Sequence, residues 1–319
     1  MLILAPMQGL TEVLFRKVYT QCFPGAMDYA ISPFLSLTHG NLSDAWKKIG
    51  DVLPENNIGS MPVVPQILGK EPEEFVELAN RLAEVIDPSS IPSSVDGKLE
   101  VNWNIGCPMR RVAAKHRGSG MLPYPDEIKS VLDQVVPKLK GASLSVKMRL
   151  GYFKDTEIFD IIPILNDYPL HSVTIHPRIG KQQYSGTPDK ERFAEAAAML
   201  KHKVIYNGDI CRLEDYQYLT KRFPQIQDFM IGRGILYDPA LPIKIKGGNC
   251  TEQEVRHFVT ELFEAINRRP IPDESRMRKT KEYWCLMWKS IGITESQSKQ
   301  VLHAPTYAET RQRIADFVK

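Results

Sequence analysis

Eight short apolar segments rich in β-branched residues recur along the first 235 residues, and most are followed by an amphipathic helical pattern. This alternation predicts a parallel sheet, because parallel strands need a crossover connection between them. Closing eight such units gives an α/β fold, the (β/α)8 TIM barrel, with a typical size of about 250 residues. The predicted strands are Leu2–Ala5, Tyr29–Ser32, Val63–Leu68, Glu100–Asn104, Leu144–Arg149, Ser172–His176, Lys203–Asn207 and Asp228–Ile231. An open doubly wound sheet is the alternative, but no G-x-G-x-x-G motif follows the first strand.

The segments outside this rhythm define the predicted domain organisation. We expect an irregular excursion over His39–Pro62 and a turn-rich surface loop over Asp87–Lys98. After Gly247 the strand pattern stops, which predicts a barrel domain over residues 1–247 and a small all-helical domain over 248–319. The predicted helices are Thr11–Cys22, Pro72–Ile86, Pro125–Leu139, Thr156–Asn166, Phe193–Leu200, Leu213–Arg222, Glu252–Asn267, Glu274–Ile291 and Pro305–Val318.

Composition excludes several classes of protein. No segment approaches the roughly 20 apolar residues of a membrane span, and the N-terminus has no basic region typical of a signal peptide. The five cysteines are widely spaced without a C-x-x-C pair, so we expect neither a disulfide framework nor a metal site. A reducing cytoplasm fits this pattern. The net charge of +3 does not by itself indicate a nucleic-acid partner, and no obligate protein partner is evident.

Polar residues stand at the carboxyl ends of the predicted strands, where barrel enzymes carry their chemistry. They are Pro6, Met7 and Gln8 after strand one, Gln66 in strand three, Asn104 and Cys107 at strand four, Lys147 and Arg149 at strand five, His176 and Arg178 at strand six, Asn207, Gly208 and Asp209 at strand seven, and Gly232, Arg233 and Gly234 at strand eight. If the barrel forms, these residues converge on one rim.

The last two of these clusters predict a phosphate site. The loops after strands seven and eight commonly bind phosphate in such barrels, and glycine lets backbone amides approach an anion. Gly208 and Gly232 supply that freedom, and Arg233 adds a fixed positive charge. Either cluster alone favours an ordinary turn, whereas the two together in these loops favour a phosphate site.

Three further residues have competing interpretations. Cys107 is either a buried small side chain or, because a thiol is mostly protonated near neutrality, a general acid. Lys147 within an apolar strand is a partner for an anionic flavin, a Schiff-base lysine or a lysine that reaches solvent. His176 is either a site residue or a structural histidine bonded to a backbone carbonyl.

Seven ordered motifs resemble the tRNA-dihydrouridine synthase family over about three quarters of the chain. They are A-P-M-Q-G-L-T (5–11), P-Q-I-L-G (65–69), N-x-G-C-P (104–108), V-K-M-R-L-G (146–151), I-H-P-R-x-G-K-x-x-Y-S-G (175–186), N-G-D-I (207–210) and I-G-R-G (231–234). The set is specific, whereas any one motif is not. The helical tail also resembles the family's C-terminal tRNA-binding domain.

The resemblance implies an FMN-bound barrel that reduces the 5,6 double bond of uridine in tRNA, with NADPH (or NADH) as hydride donor. It implies that hydride reaches uracil C6 while Cys107 protonates C5. Residues matching the uracil site are Asn104, Arg149, Arg178 and Tyr184. Residues matching the flavin site are Pro6, Met7, Gln8, Gln66, Lys147, His176, Asn207, Gly208, Asp209, Gly232 and Arg233.

The chain departs from the family in the loop after Cys107, M-R-R-V-A-A-K-H-R-G-S-G-M-L-P, which carries extra bulk and charge. In the tail, Arg276–Lys281 is the best candidate for an RNA contact, against the alternative of a solvated helix face. Three other functions remain open: a small-molecule pyrimidine oxidoreductase of dihydroorotate dehydrogenase type, an aldolase using Lys147, and a non-catalytic RNA-binding barrel.

Overall fold

A parallel sheet of ten short strands forms the centre of the computed structural model, which describes residues 1–37 and 42–318. The strands are β1 (Leu2–Leu4), β2 (Tyr29–Ile31), β3 (Leu35–Ser36), β4 (Val63–Val64), β5 (Gln66–Leu68), β6 (Leu99–Ile105), β7 (Ala142–Gly151), β8 (Ser172–Ile179), β9 (Lys203–Tyr206) and β10 (Asp228–Ile231). Their order in the sheet is β3-β5-β6-β7-β8-β9-β10-β1-β2-β4.

The sheet closes into a barrel at Pro65. This residue alone separates β4, which pairs with β2, from β5, which pairs with β6. Proline has no amide hydrogen for the ladder, but the Pro65 carbonyl accepts a hydrogen bond from Asn102 N at 2.9 Å. Val63–Leu68 therefore acts as one barrel strand, and the pairing of β10 with β1 completes the ring. The predicted (β/α)8 barrel is confirmed.

β3 is a strand that the sequence did not predict. It pairs with β5 and continues the second barrel strand beyond Pro33, whose missing amide hydrogen interrupts the ladder. The continuation carries Phe34 to the carboxyl end of the barrel, at the edge of the cavity described below.

β6 shows how a fully buried strand carries polar side chains into the barrel interior. All seven of its residues are buried, as expected for a parallel strand covered on both faces. Trp103 points towards the helical layer and meets Phe75 edge-on at 6.3 Å between ring centroids. Because side chains alternate along a strand, the intervening Asn102 and Asn104 share the opposite face, which is the barrel interior.

Helices surround the barrel and form the C-terminal part of the chain. They are α1 (Val13–Cys22), α2 (Ser43–Lys48), α3 (Pro72–Val85), α4 (Arg110–Ala113), α5 (Pro125–Val135), α6 (Ile158–Leu165), α7 (Lys190–Met199), α8 (Leu213–Arg222), α9 (Arg233–Tyr237), α10 (Leu241–Ile245), α11 (Glu252–Asn267), α12 (Asp273–Met287), α13 (Glu295–Leu302) and α14 (Tyr307–Val318). No helix within 1–37 and 42–318 is long and apolar enough to cross a membrane.

Two predictions about the C-terminal helices were incomplete. α13 was missed, although Thr294 and Gln297 form a capping box at its start. The predicted helix over Glu274–Ile291 ends as an α-helix at Met287 and continues as a 3-10 turn to Ile291. Gly292 then adopts the left-handed conformation, with φ of 70°, which ends the turn.

The structure describes one of the two segments predicted to be irregular in full and the other only in part. His39–Pro62 lies partly outside the described residues, and its remainder contains α2 and two short 3-10 turns. Asp87–Lys98 is a loop with one 3-10 turn at Pro88–Ser90 and a single bridge between Val95 and Lys98, as predicted.

The C-terminal helices pack directly on the first βα unit. Phe258 of α11 lies within 5.9 Å of the rings of Phe15, Tyr19 and Phe23, measured between centroids. In α12, the Tyr283 hydroxyl donates to the Leu10 carbonyl. These contacts hold α12 beside the loop after β1, at the carboxyl end of the barrel.

Candidate active site

A cavity of about 680 Å³ opens at the carboxyl ends of the strands. Its size lies within the range of small-molecule sites. The residues that line it are Pro6, Met7, Gln8, Leu10, Pro33, Phe34, Asn104, Gly106, Cys107, Pro108, Met109, Arg110, Arg111, Arg149, His176, Gln183, Tyr184, Arg233 and Leu286. Within the part of the chain that the structure describes, the lining includes four arginines and no carboxylate.

A chain of buried amides positions Cys107. Asn104 Oδ1 accepts hydrogen bonds from the backbone amides of Gly106 at 3.1 Å and Cys107 at 2.9 Å. Asn104 Nδ2 donates to Gln66 Oε1 at 2.8 Å, and Gln66 Nε2 donates to Asn102 Oδ1 at 2.7 Å. Because each buried group is satisfied by the next, the turn after β6 has one preferred geometry.

The loop after Cys107 returns to the same residue and holds it from the other side. Ser119 donates to the Cys107 carbonyl twice, through its amide and its hydroxyl, each at 3.0 Å. Gly118 makes this close return possible, because its φ is +55° and a Cβ there would lie 2.7 Å from the Cys107 carbonyl oxygen.

The Cys107 thiol is suited to donate a proton. The residue is 9% exposed and lies on the cavity wall. Burial raises the pKa of the thiol above its usual value, although Arg149 and Lys147 partly oppose the shift. The group is therefore protonated at neutral pH, as a general acid must be. The other described cysteines, at positions 22, 211, 250 and 285, do not line this cavity.

Arg149 and Tyr184 form the wall facing the loop after β8. Arg149 Nη1 donates to the carbonyls of Gln183 at 2.7 Å and Ile179 at 3.0 Å. The Tyr184 ring lies close to two guanidinium groups, with its centroid 5.5 Å from that of Arg149 and 4.6 Å from that of Arg233. Burial lowers the pKa of Arg149 to about 10, so the guanidinium remains charged near neutrality.

Lys147 and His176 experience strong electrostatic effects. Burial, followed by the charge of Arg149, lowers the pKa of Lys147 to about 7. Lys147 has neither a hydrogen bond nor an ion pair with any residue that the structure describes. Burial and the surrounding cations hold the pKa of His176 well below its usual value, so its ring is neutral. Arg178 can only donate, and its Nη1 lies 3.2 Å from His176 Nε2, so the imidazole proton is on Nδ1.

A smaller cavity of about 60 Å³ adjoins the first at the loops after β9 and β10. It shares Pro6, Met7, His176, Tyr184 and Arg233 with the main cavity, and its further lining is Ala5, Asn207, Gly208, Asp209, Ile210, Cys211, Gly232 and Gly234. Arg233 Nη2 donates to Asp209 Oδ1 at 2.7 Å. Burial opposes ionisation of Asp209, but its bonds to Arg178 and Arg233 lower the pKa overall, so it is a carboxylate.

The predicted site residues therefore fall into three groups. The two cavities bring together all of them except Gln66, Lys147 and Arg178. Gln66 and Lys147 lie in the adjoining barrel interior. Gln66 is linked to the site through its hydrogen bond with Asn104, and Lys147 through its electrostatic interaction with Cys107. Arg178 has a different environment from the expected one.

Arg178 does not line the main cavity and is only 1% exposed. Its guanidinium donates to both Asp209 oxygens and to the carbonyls of Ser185 and Gly186. These contacts join the loop after β9 to the loop that carries Tyr184. All of these partners belong to the protein, so Arg178 links two loops at the carboxyl end of the barrel.

Sequence reasoning missed several residues at the site. Leu286 reaches the cavity from α12, and Phe34 reaches it through the β3 extension. Neither has a local signal, because each depends on tertiary packing.

The predicted RNA contact is largely engaged within the protein. Hydrogen bonds to the carbonyls of Arg269, Gly9 and Ala304 come from Arg276, Lys279 and Lys281, respectively. In that run, Arg278 is the exposed cation.

A closed barrel with a thiol, a neutral imidazole and several arginines gathered at its carboxyl end defines a (β/α)8-barrel enzyme. The dihydrouridine synthase (Dus) family model matches residues 3–269, so the chain belongs to that family. This confirms the resemblance found in the motifs.

Curated relatives match most of the chain. It is 25% identical over 331 residues to the tRNA-dihydrouridine(16) synthase of Neisseria meningitidis serogroup B, covering 99% of this chain and 94% of that one. It is 24% identical to a probable tRNA-dihydrouridine synthase of Staphylococcus aureus strain COL, covering 99% and 92%. It is 29% identical over 265 residues to the tRNA-dihydrouridine(16) synthase of Cupriavidus necator, covering 79% and 76%.

Solved structures share the fold at low sequence identity. Histamine dehydrogenase from Rhizobium sp. 4-9 matches with a TM-score of 0.53 at 9% identity, over 83% of this chain and 48% of that one. The old yellow enzyme homologue from Zymomonas mobilis matches with a TM-score of 0.50 at 12% identity, over 78% and 89%. At these identities the likeness concerns the barrel architecture alone.

Proposed function

We propose that this protein reduces the C5=C6 bond of uridine in tRNA to give 5,6-dihydrouridine. Membership of the dihydrouridine synthase family and the relatives named tRNA-dihydrouridine synthase support this activity. The single observation that carries the proposal is the protonated Cys107 thiol on the wall of an arginine-lined cavity. The family match does not favour the dihydroorotate-type alternative.

The proposed cofactor is FMN, and the chemistry of the site fits it. Gln8 lines the main cavity, and its buried Oε1 has no hydrogen-bond partner in the part of the chain that the structure describes. Lys147 likewise lacks a protein partner there. Buried polar groups left unsatisfied by protein are expected where a ligand completes the site.

The proposed flavin contacts divide between the two cavities. The ring side consists of Pro6, Met7, Gln8, Lys147 and His176, with Gln66 behind them. The phosphate and ribityl side consists of Asn207, Gly208, Asp209, Gly232 and Arg233. Arg233 is charged and half-buried, which suits a phosphate group. NADPH or NADH is the proposed source of reducing equivalents.

When bound, reduced FMN would supply the hydride that adds at uracil C6. Cys107 then gives the thiol proton to C5, so one hydride and one proton saturate the double bond. The resulting thiolate regains a proton from solvent. Arg149 stabilises the negative charge that builds on the uracil carbonyl side, and Asn104 and Tyr184 orient the base. Arg178 contributes by positioning the loop that carries Tyr184.

The substrate must reach this cavity as an extruded nucleotide, because a base stacked within folded RNA cannot enter it. We propose that residues 248–319 form the tRNA-binding domain and residues 1–247 the catalytic barrel. The contact of α12 with the loop after β1 supports a role for this segment near the cavity mouth. We further propose a cytoplasmic location, where tRNA substrates and reduced cysteines coexist.

The test is the Cys107→Ala variant, with Cys285→Ala as the matched control because Cys285 is exposed on α12. We expect Cys107→Ala to retain its yellow colour and its affinity for tRNA. Its dihydrouridine formation should fall by about 10²–10⁴-fold, the usual contribution of a general acid. Dihydrouridine is measured by mass spectrometry of unmodified tRNA after incubation with NADPH. Full activity in Cys107→Ala would exclude the thiol as proton donor.

A further inference from the structure

Two arginines at the cavity mouth remain unexplained by the proposed chemistry. Arg110 and Arg111 are exposed on α4 and both line the main cavity. Neither guanidinium has a hydrogen bond or ion pair with any residue in 1–37 or 42–318. The inner arginines differ, because Arg149 and Arg233 are bonded to carbonyl and carboxylate groups.

The charge of this pair is not compensated locally. Among the described residues, the lining of the main cavity contains no aspartate or glutamate, and Asp209 of the adjoining cavity is bonded to Arg178 and Arg233. Arginine presents a planar fork of donors that matches phosphate. Uncompensated arginines at a mouth therefore attract a phosphate-bearing polyanion.

α4 is held in place at both ends. Before it, the Cys107 amide bonds to Asn104 Oδ1; after it, Ser119 returns to the Cys107 carbonyl. Arg117 adds a bond to the Leu37 carbonyl at 2.8 Å and an ion pair with Glu71. Because the backbone is fixed, binding an anion orders only the two arginine side chains, which lowers its entropic cost.

We infer that Arg110 and Arg111 bind the RNA phosphodiester backbone next to the uridine that enters the cavity. This inference rests on the proposed function. Arg110 follows Cys107 by three residues, so their Cα atoms are at most about 11 Å apart. The phosphates that flank an extruded nucleotide remain outside the cavity, at the rim where these arginines stand. A nicotinamide dinucleotide also carries phosphates, and the experiment separates the two sources.

The test compares the double variant Arg110→Ala/Arg111→Ala with Lys138→Ala/Lys140→Ala. Lys138 and Lys140 are exposed between α5 and β7, at the opposite end of the barrel, and their removal changes the net charge equally. The affinity for unmodified tRNA is measured at several salt concentrations. Loss of two phosphate contacts should make the slope of log K against log salt shallower by about 1.4–1.8. The lysine control should retain the wild-type slope.

Kinetics provide the second measurement. In the double alanine variant we expect the KM for tRNA to rise about 10-fold or more, with little change in kcat and in the KM for NADPH. Arg110→Lys/Arg111→Lys keeps both charges and should restore the salt slope. A wild-type slope in the double alanine variant, or a rise in the KM for NADPH alone, would overturn the inference. Failure of the proposed function is distinct, because wild-type protein would then form no dihydrouridine in tRNA.

Discussion

The return of the loop onto Cys107 makes Gly118→Ala the most informative single change. Gly118 has a φ of +55°, and a Cβ there would lie 2.7 Å from the carbonyl oxygen and 2.9 Å from the Cβ of Cys107. Both distances are shorter than real Cβ contacts. The loop and Cys107 must therefore separate by several tenths of an ångström, which also weakens the two bonds from Ser119.

The expected effects on stability and on activity differ in size. Left-handed backbone costs a residue with a Cβ about 1–2 kcal/mol. At this chain length the backbone cost alone corresponds to a fall in Tm of roughly 1.5–3 °C, from the per-residue entropy of unfolding, and the close contacts with Cys107 add to it. Misplacement of a reacting group by about 1 Å can cost 10²-fold in rate. We therefore expect dihydrouridine formation to fall by about 10- to 100-fold while the protein stays folded.

Gly59→Ala is the matched control for this change. Gly59 has a φ of +75°, and a Cβ there would meet nothing within 4 Å. In a thermal melt, the Gly59→Ala variant should lose the stability that the left-handed backbone costs, but its activity with tRNA should equal that of the wild-type protein. If Gly118→Ala kept wild-type kcat/KM, the loop would not position Cys107. Equal activity losses in both variants would mean that the effect is global.

Two other perturbations address the proposed flavin site. Arg233→Ala should weaken FMN retention by about 10- to 100-fold, the value of a charged hydrogen bond, as measured by flavin content after gel filtration; unchanged occupancy would count against the phosphate role. Lys147→Met tests the buried ammonium. Since the pKa of Lys147 is about 7 in the fold and 10.5 in the unfolded chain, the unfolded state binds more protons between these values, and wild-type stability rises with pH. Without flavin, the Lys147→Met variant should therefore have a higher Tm than the wild-type protein, and the difference in Tm should be largest below pH 7. A difference in Tm that does not change with pH would contradict the lowered pKa of Lys147.

The barrel could be predicted because its signal is local and repeated. Each strand is an apolar run, and each helix carries its own periodic apolar face, so eight weak signals reinforce one another. The break at Pro65 and the β3 extension could not be predicted in the same way. Both depend on which amide hydrogens face a neighbouring strand, and that is decided only when the strands pair.

The location of the predicted site residues at one end of the barrel follows from the fold, but the protein contacts of each residue do not. Residues at strand ends converge because the fold requires it, which explains why Cys107 and Arg149 share the main cavity and Asn207 lines the adjoining one. The family resemblance implied that Arg178 belongs to the uracil site, and Arg178 shares a strand face with His176. Besides Asp209, its partners include the carbonyls of Ser185 and Gly186, whose direction depends on how the loop folds. No residue pattern in the sequence encodes that direction.

The electrostatics of the assembled site explain why it should bind anions. Lys147, Arg149 and His176 all have lowered pKa values, because burial and mutual repulsion penalise their charged forms. Asp209 is the carboxylate among the residues that line either cavity, and it already bonds two arginines. His176 is therefore neutral and Lys147 only partly protonated near neutral pH, whereas Arg149 keeps its charge without a carboxylate partner among the described residues. An anionic ligand gains both its direct contacts and the relief of this repulsion, and the free energy of that relief raises its affinity.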